Sequence, residues 1–305
     1  MITNQLALIR REIWEHRSIY ITPMVIAIIV TLGVFAMLIF ASGFAAELDA
    51  VIFGATNIAG ETERKAALTL YFLGTSWLFL VALAILTVFY CLDSLYAERK
   101  DKSILFWRSM PVTDAETVIS KLIIALLVIP VAAIIGIIVT HLVNLVVTSV
   151  WVSMKGGDAS LLIWGSVSLL DNWLAAVIVI LATGIWMSPF IGWFLFVSAY
   201  TKRSPLLMAF MPLVLIALLE KIILRTHIFA EYVLGRADEI PLIRTENVER
   251  FFDEEQWRIA EGATHLLVHL DIVQFLTSPA TWAGIIVCGL LSTAAIYVRR
   301  YRDES

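Results

Sequence analysis

Six long apolar runs, separated by polar segments, dominate the pattern of hydrophobic and polar positions along the chain. An α-helix rises about 1.5 Å per residue, so about 20 apolar residues cross a hydrocarbon core of about 30 Å. Each of the six runs is close to this length or exceeds it. We therefore predict six transmembrane helices, at about residues 19–44, 66–92, 118–150, 173–200, 205–224 and 281–298.

The third run is the longest and would extend about 50 Å as a helix, which is more than a bilayer requires. We expect its first turns to project out of the membrane. Pro130 lies within the run. Because proline cannot donate a helix hydrogen bond, we expect a kink at this position.

The first 18 residues carry an amphipathic pattern. Apolar residues stand at Ile2, Leu6, Ile9 and Ile13, at spacings of four, three and four, with polar residues between them. This pattern predicts an interfacial helix whose apolar face lies in the headgroup region and whose basic residues face anionic lipid. The alternative is an ordinary charged tail.

Residues 225–280, between the fifth and sixth runs, form an acid-rich external segment that is longer than the other segments between runs. Within it, residues 245–262 place Val248, Phe252 and Ile259 near one face of a predicted amphipathic helix. The following run, HLLVHLDIVQFL, is too short to span a bilayer and favours a re-entrant or interfacial piece. Nothing in the sequence indicates a second soluble domain, so we expect one transmembrane domain over residues 1–305.

Composition agrees with an all-α integral membrane protein, since 60% of residues are hydrophobic and only 16% are charged. The N-terminal segment has no apolar core before its charges, so we do not expect a cleavable signal peptide. The two cysteines, Cys91 and Cys288, both fall in apolar runs. We expect buried free thiols there, without a disulfide or a zinc site.

The distribution of Lys and Arg predicts the orientation, because short cytoplasmic loops are enriched in them. One side would carry only Arg64, Lys65 and Lys155 in its two shorter loops. We therefore expect both termini in the cytoplasm. The residues on that side are Arg10, Arg11, Arg17, Arg99, Lys100, Lys102, Arg108, Lys202, Arg203, Arg299, Arg300 and Arg302.

The stretch ERKDKSILFWRSMPV, residues 98–112, places five charged residues before four apolar ones. We predict a short lateral amphipathic helix at residues 103–110, ended by Pro111, because the residue before a proline is disfavoured in a helix. The next residues, TDAE, form a capping box in which Thr113 and Glu116 would start the following helix at Asp114. The alternative is a basic loop that only fixes topology.

The sequence DSLYAERKDKSILFWRSMPVTDAETVISKL, residues 93–122, resembles the loop between spans two and three of ABC-2 type permeases, the transmembrane subunits of ATP-binding-cassette (ABC) exporters. That family shows E-R-K/R, a few residues, then S-x-P-V-S/T-x-x-E-x-x-x-x-K. An N-terminal interfacial helix, six spans and short re-entrant helices before the last span are also typical of it. The segment before span six is longer and more acidic here than is usual there. The matching residues are Glu98, Arg99, Lys100, Ser109, Pro111, Val112, Thr113, Glu116 and Lys121.

The resemblance implies that the lateral helix docks on a cytoplasmic ATPase. When the ATPase subunits close, the lateral helix would transmit their movement to the spans. An apolar wedge flanked by Arg and Lys has the composition of an interface core, and Glu98 would make charge-assisted contacts across it. The candidate coupling residues are Glu98, Arg99, Lys100, Asp101, Lys102, Leu105, Phe106, Trp107, Arg108, Pro111 and Glu116.

The chain contains no G-x-x-x-x-G-K-[ST] motif and no Gly-Lys pair, so it cannot build the usual phosphate-cradling loop. We therefore expect no enzyme activity or cofactor in this chain, with ATP and Mg²⁺ bound by two copies of an ABC ATPase subunit. The resemblance further implies a second copy of the chain or a related permease, membrane lipids as neighbours, no nucleic acid, and a bacterial inner membrane location.

The alternatives are an ion-coupled carrier and a membrane scaffold without an ATPase. A proton-coupled carrier usually needs an ionisable residue deep in the membrane, and the predicted span interiors contain no Asp or Glu. His141 and Asn144 are the strongly polar residues at depth, and interhelical hydrogen bonding is their more common role. His265 and His269 lack the Glu of an H-E-x-x-H motif, so we expect no metal site.

The aromatic stretch GIWMSPFIGWFLF in span four suggests a large apolar or amphipathic cargo, such as a lipid, peptide or drug, moved out of the cytoplasm or the inner membrane. Aromatic residues in spans more often serve packing or face lipid. The candidate path residues are His141, Asn144, Trp186, Phe190 and Trp193.

Overall fold

The computed structural model describes residues 2–40, 52–53, 58–104, 112–238, 240–243 and 265–301. Within these ranges, six helices are long and apolar enough to cross a membrane, which confirms the prediction of an all-helical, six-span membrane protein. They are Ser18–Phe40, Arg64–Lys100, Asp114–Met154, Ala159–Trp186, Pro205–Leu224 and Pro279–Tyr301.

In chain order, the described α-helices are α1 (Ile2–Glu15), α2 (Ser18–Phe40), α3 (Ile58–Lys100), α4 (Asp114–Ile123), α5 (Ile129–Met154), α6 (Ala159–Leu162), α7 (Leu169–Trp186), α8 (Ser188–Tyr200), α9 (Pro205–Leu219), α10 (Ile228–Asp238), α11 (Ile272–Thr277) and α12 (Pro279–Tyr301). Short 3₁₀ segments lie at Trp164–Ser166 and Leu266–His269, and π-helical turns at Ile124–Val128 and Glu220–Leu224.

The N-terminal helix forms as predicted but buries a different edge from its apolar stripe. Leu8 and Glu12 are buried, at the helical spacing of four, while Leu6 is 62% exposed. Ile9 and Ile13 pack only partly against the main core. The acidic residue Glu12 thus lies on the protein-facing side of α1. It is stable there because its carboxylate pairs with the buried Lys121.

The third span starts where the capping box predicts. The Thr113 hydroxyl accepts a hydrogen bond from the Glu116 amide (3.1 Å), and the Glu116 carboxylate accepts one from the Thr113 amide (2.9 Å). Farther along, the π-helical turn Ile124–Val128 immediately precedes the turn that contains Pro130. Since proline has no N–H and crowds the carbonyl four residues earlier, the helix widens into this π-helical turn just before Pro130. The kink itself stays a prediction.

The fourth span differs from the prediction of one continuous helix. The predicted range, residues 173–200, covers two helices, α7 at the end of the apolar segment Ala159–Trp186 and α8, which are separated at Met187. Pro189 follows the break and lies in the first turn of α8, where a missing N–H costs nothing. The apolar pattern continues across the break, so hydropathy alone could not locate it.

The short helix α8 lies at the centre of the bundle, packed against α3 and α12. Leu195 and Ala199 are fully or almost fully buried there. Gly192 permits the close approach of α12, because a Cβ atom at this position would lie 3.0 Å from both the Cα and the carbonyl oxygen of Cys288. Cys91 and Cys288 are buried free thiols, as predicted.

The segment between the fifth and sixth spans is only partly described, and the predicted amphipathic helix at residues 245–262 lies outside the described residues. The run HLLVHLDIVQFL forms two short elements, the 3₁₀ turn Leu266–His269 and α11. The carboxylate of Asp271 accepts a hydrogen bond from the Gln274 amide and so caps α11. This N-cap divides the apolar run, which the sequence analysis treated as one piece.

Candidate functional site

A cluster of buried charges joins four distant parts of the chain at one end of the bundle. Its central members are Glu12 of α1, Glu98 of α3, Lys121 of α4 and Arg299 of α12, each between 1% and 5% exposed. Charged side chains are almost never buried to this degree unless they are paired. We call these four residues, together with Asp114, the ion cluster, and the end of the bundle where they lie the basal end.

The distances within the ion cluster are those of direct ion pairs. The Lys121 Nζ atom lies 2.8 Å from Glu12 Oε1 and 3.0 Å from Glu98 Oε1. The Arg299 guanidinium places Nη1 2.6 Å from Glu98 Oε2 and Nε 2.9 Å from Asp114 Oδ1. Each cation therefore bridges two carboxylates that come from different helices.

Neighbouring groups complete the cluster. The Arg11 guanidinium lies 3.6 Å from Glu98 Oε1 and 3.0 Å from Glu15 Oε2. The Tyr90 hydroxyl donates a hydrogen bond to Glu12 Oε2 (3.0 Å). With Arg11, three cations face the three carboxylates of the ion cluster, which is the balance that charges removed from water require.

Local sequence places these side chains through helical periodicity. Asp114 and Lys121 are seven residues apart, two turns along the same face of α4. Arg299 lies in the last turns of α12, which packs against α4. Glu98 lies in the last turn of α3. The cluster thus forms where the ends of three helices meet the buried edge of α1.

A second set of contacts ties the end of α3 to the end of α8. The Arg99 Nη2 atom donates to the carbonyl oxygens of Ser198 and Thr201, at 2.6 Å each. The Ser198 hydroxyl accepts from the amides of Leu95 and Tyr96. Carbonyl groups at a helix C-terminus lack intrahelical partners and attract cations. Arg99 therefore supplies the hydrogen-bond donor that these carbonyl groups at the end of α8 need.

The predicted coupling residues fall into three groups. Glu98 and Arg99 are bound inside the protein by the contacts above, and Glu116 belongs to the capping box of α4. Lys100, Asp101 and Lys102 are exposed just beyond them. The remaining residues, Leu105, Phe106, Trp107, Arg108 and Pro111, lie outside the described residues.

The structure places Glu98 differently from the interfacial contact expected for it. Its carboxylate is 3% exposed and its partners are Lys121 and Arg299 of the same chain. Sequence reasoning did not identify the roles of Glu12, Asp114 and Arg299. A usable signal was present, since Lys121 is a cation at the start of an apolar run and therefore needs an acidic partner.

The candidate path residue His141 is held by three helices. Its Nε2 atom lies 2.8 Å from the Thr75 hydroxyl, and the Trp173 indole N–H donates to its Nδ1 atom (3.3 Å). The Thr75 hydroxyl also donates to the Phe72 carbonyl oxygen. These contacts fit a neutral imidazole that carries its proton on Nε2, which is the interhelical role that the sequence analysis favoured.

The other candidate path residues lie in different surroundings. Asn144 is 1% exposed, and its side-chain amide has no hydrogen-bond partner among the described residues. The Trp193 indole donates to the Ala209 carbonyl oxygen (2.9 Å), and Phe190 packs against the main core. Trp186 lies 13 residues after Trp173 on α7, about 20 Å away. The structure therefore does not gather the five residues around one point.

Arg236 of α10 closes the break in the fourth span, and sequence reasoning missed it. Its guanidinium stacks 4.0 Å from the centre of the Trp186 ring. It donates from Nε to the Trp186 carbonyl oxygen (2.8 Å) and from Nη1 to that of Ala280 (3.1 Å). The Trp186 indole returns a bond to the Arg236 carbonyl oxygen. Arg236 therefore caps α7 at the point where its helical hydrogen bonds stop.

Six helices long and apolar enough to cross a bilayer, three of which are joined at the basal end by buried ion pairs, define a multi-pass membrane protein. A model of the family described as ABC-2 family transporter protein matches residues 66–232, more than half of the chain. The chain belongs to this family and is an ABC-type permease, as the resemblance in residues 93–122 indicated. No curated protein and no solved structure matches the chain.

Proposed function

We propose that this permease is the transmembrane subunit of an ATP-driven exporter in a bacterial inner membrane. It moves an amphipathic or hydrophobic substrate out of the cytoplasm or the membrane, and a separate ABC ATPase supplies the energy. Two ATPase subunits bind ATP and Mg²⁺ below two permease subunits, which are either two copies of this chain or this chain and a relative.

The basal end faces the cytoplasm in this proposal. Exposed basic residues concentrate there, including Arg17 before α2, Lys100 at the end of α3, Lys102 just beyond it, and Lys202 and Arg203 after α8. Short loops enriched in Lys and Arg remain on the cytoplasmic side during insertion. The ATPase would therefore approach the end of the bundle that carries the ion cluster.

The ion cluster is the single observation that carries the coupling proposal. Residues 105–111 join two stems, the end of α3 and the start of α4. Glu98 holds the first stem and Asp114 and Lys121 hold the second, and Arg299 contacts both. A displacement of residues 105–111 would thus act on α1 and α12 through direct ion pairs, as in a rigid-body transition between two packings.

In this mechanism Glu98 is a positioning residue. Its buried carboxylate orients the stems from within, while the exposed residues from Lys100 onward and the aromatic pair Phe106 and Trp107 meet the ATPase. Aromatic and Arg side chains in the centre of an interface commonly supply most of its binding energy. The sequence places these residue types together between the two stems.

Replacing Phe106 and Trp107 together with alanine is expected to remove ATPase binding while membrane insertion continues. Loss of even one interface residue worth about 2 kcal/mol weakens binding about 30-fold. The test is affinity purification of the tagged full chain from its native membrane in mild detergent, with the bound proteins identified and ATP hydrolysis assayed.

The matched control replaces Phe35 and Trp77 with alanine, because these exposed aromatic residues belong to membrane spans. The control should retain the ATPase. Equal retention by both double variants would refute docking through residues 105–111. Absence of any ATPase from the unaltered chain would instead favour an ion-coupled carrier or a scaffold.

A further inference from the structure

A groove with a volume of about 550 Å³ lies between α2 and α3 at the basal end. This volume lies within the range of about 300–1,000 Å³ that small-molecule sites occupy. Its α3 wall carries Ile85, Phe89 and Asp93 at spacings of four, and its α2 wall carries Ser18 and Thr22 at the same spacing. Spacings of four keep side chains on one helix face, so each helix presents one continuous wall.

The groove is polar at one end and apolar at the other. His16, Ser18 and Asp93 lie at the basal end, while Ala82 and Ile85 line it farther into the membrane. Asp93 and Ala82 are eleven residues apart on α3, about 16 Å along the helix. A ligand that fits both ends needs a polar head and an apolar chain.

The apolar end of the groove closes within the bundle. The cavity that adjoins Thr22 and Ala82, lined also by Pro23 and Phe79, has a volume of about 10 Å³. This space holds about one water-sized sphere. The groove is therefore a site of limited depth that accepts the first part of an acyl chain.

Charged side chains at and beside the mouth of the groove determine which polar headgroup a ligand must carry. Asp93 is exposed and makes no ion pair among the described residues, in contrast to Glu12, Glu98 and Asp114 nearby. Arg17 does not itself line the groove but lies in the chain between His16 and Ser18, which do. It is exposed and makes no ion pair in the described part of the chain. One free anion and one free cation are complementary to a head that carries both an ammonium and a phosphate.

We propose that this groove binds a zwitterionic phospholipid with a primary ammonium head from the leaflet at the basal end. The ammonium contacts Asp93, the phosphate lies toward Arg17, and the acyl chain passes along Phe89 and Ile85. The side chains of Phe89 and Ile85 are more than half exposed in the isolated chain, so the acyl chain covers apolar surface there. This binding does not require an ATPase partner, so it can be tested on the permease alone.

The test uses the purified full-length chain in nanodiscs of phosphatidylglycerol. A trace of phosphatidylethanolamine with a diazirine on its acyl chain is added, or phosphatidylglycerol with the same label. After photolysis, mass spectrometry measures labelling of residues 82–93. We expect about five-fold more labelling by the ethanolamine lipid, the effect of one partly exposed charge contact.

Two variants test the assignment of the head and the chain. Asp93→Asn should bring the labelling ratio of the two lipids close to one, whereas Glu231→Gln, which neutralises an exposed acid on α10, should leave it unchanged. Ala82→Trp fills the apolar end and should reduce labelling by the ethanolamine lipid. Equal labelling by both lipids in the unaltered chain, or a ratio that persists in Asp93→Asn, would overturn the proposal and indicate ordinary annular lipid.

Discussion

Replacing Lys121 with methionine is expected to lower the free energy of unfolding by about 3–5 kcal/mol, the usual cost of removing one partner from a buried ion pair. Methionine keeps most of the length of the lysine side chain but removes its charge. Glu12 and Glu98 would then lose the cation that lies within 3.0 Å of both carboxylates. The penalty arises mainly from Glu12, because Glu98 keeps the Arg299 guanidinium at 2.6 Å.

Thermal unfolding of the purified protein in detergent, followed through its ten tryptophans, measures this effect. Lys100→Met is the matched control, since Lys100 is exposed at the same end of the bundle. Adding Glu12→Gln to Lys121→Met should recover part of the loss, because it neutralises one stranded carboxylate. A Lys121→Met midpoint no lower than that of Lys100→Met would show that the ion cluster does not stabilise the fold.

Replacing Gly192 with leucine is expected to separate α8 from α12 and to destabilise the bundle by about 3 kcal/mol, at the upper end of the usual cost of overpacking. Even the first added carbon would meet backbone atoms of Cys288 at 3.0 Å, and Leu291 Cβ at 3.3 Å. Backbone cannot rotate aside as a side chain does. The helices must therefore move apart along the most closely packed contact of the core.

Gly184→Leu provides the comparison, because it changes the other half of the fourth span at a position with no atom within 4 Å of the added Cβ. Leucine also has a better helix propensity than glycine, so this variant should be neutral or slightly stabilising. The midpoint of thermal unfolding and the yield of monodisperse protein report both variants. Similar values for the two would contradict the close approach at Gly192.

The elements that the sequence predicted well depend on local signals. The fifth span begins and ends at the predicted residues, 205 and 224, because an apolar run of suitable length between polar residues determines a membrane helix. The capping box likewise needs only Thr113 and Glu116, which are three residues apart. Such features require no knowledge of the rest of the chain.

The features that the sequence analysis missed depend on residues far apart or on backbone geometry. Glu98 and Arg299 are separated by 201 positions, so each was interpreted alone, as an interface residue or as a topology signal. The break at Met187 leaves the apolar pattern intact, although Pro189 was a local warning. Arg236 likewise meets Trp186 only after the chain folds back from α10.

The order in which the residues of the ion cluster are synthesised affects how the protein assembles in the membrane. Glu12 is synthesised before Glu98, and Lys121 follows Glu98 after 23 positions. Arg299 comes 201 positions after Glu98, a delay of about 10–40 s at synthesis rates of roughly 5–20 residues per second. During this interval Glu98 can pair with Arg11 and Lys121 but lacks Arg299. The sixth span, which is synthesised after the other five, therefore completes the charge balance of the basal end. Correct docking of the stems is thereby linked to the insertion of that span.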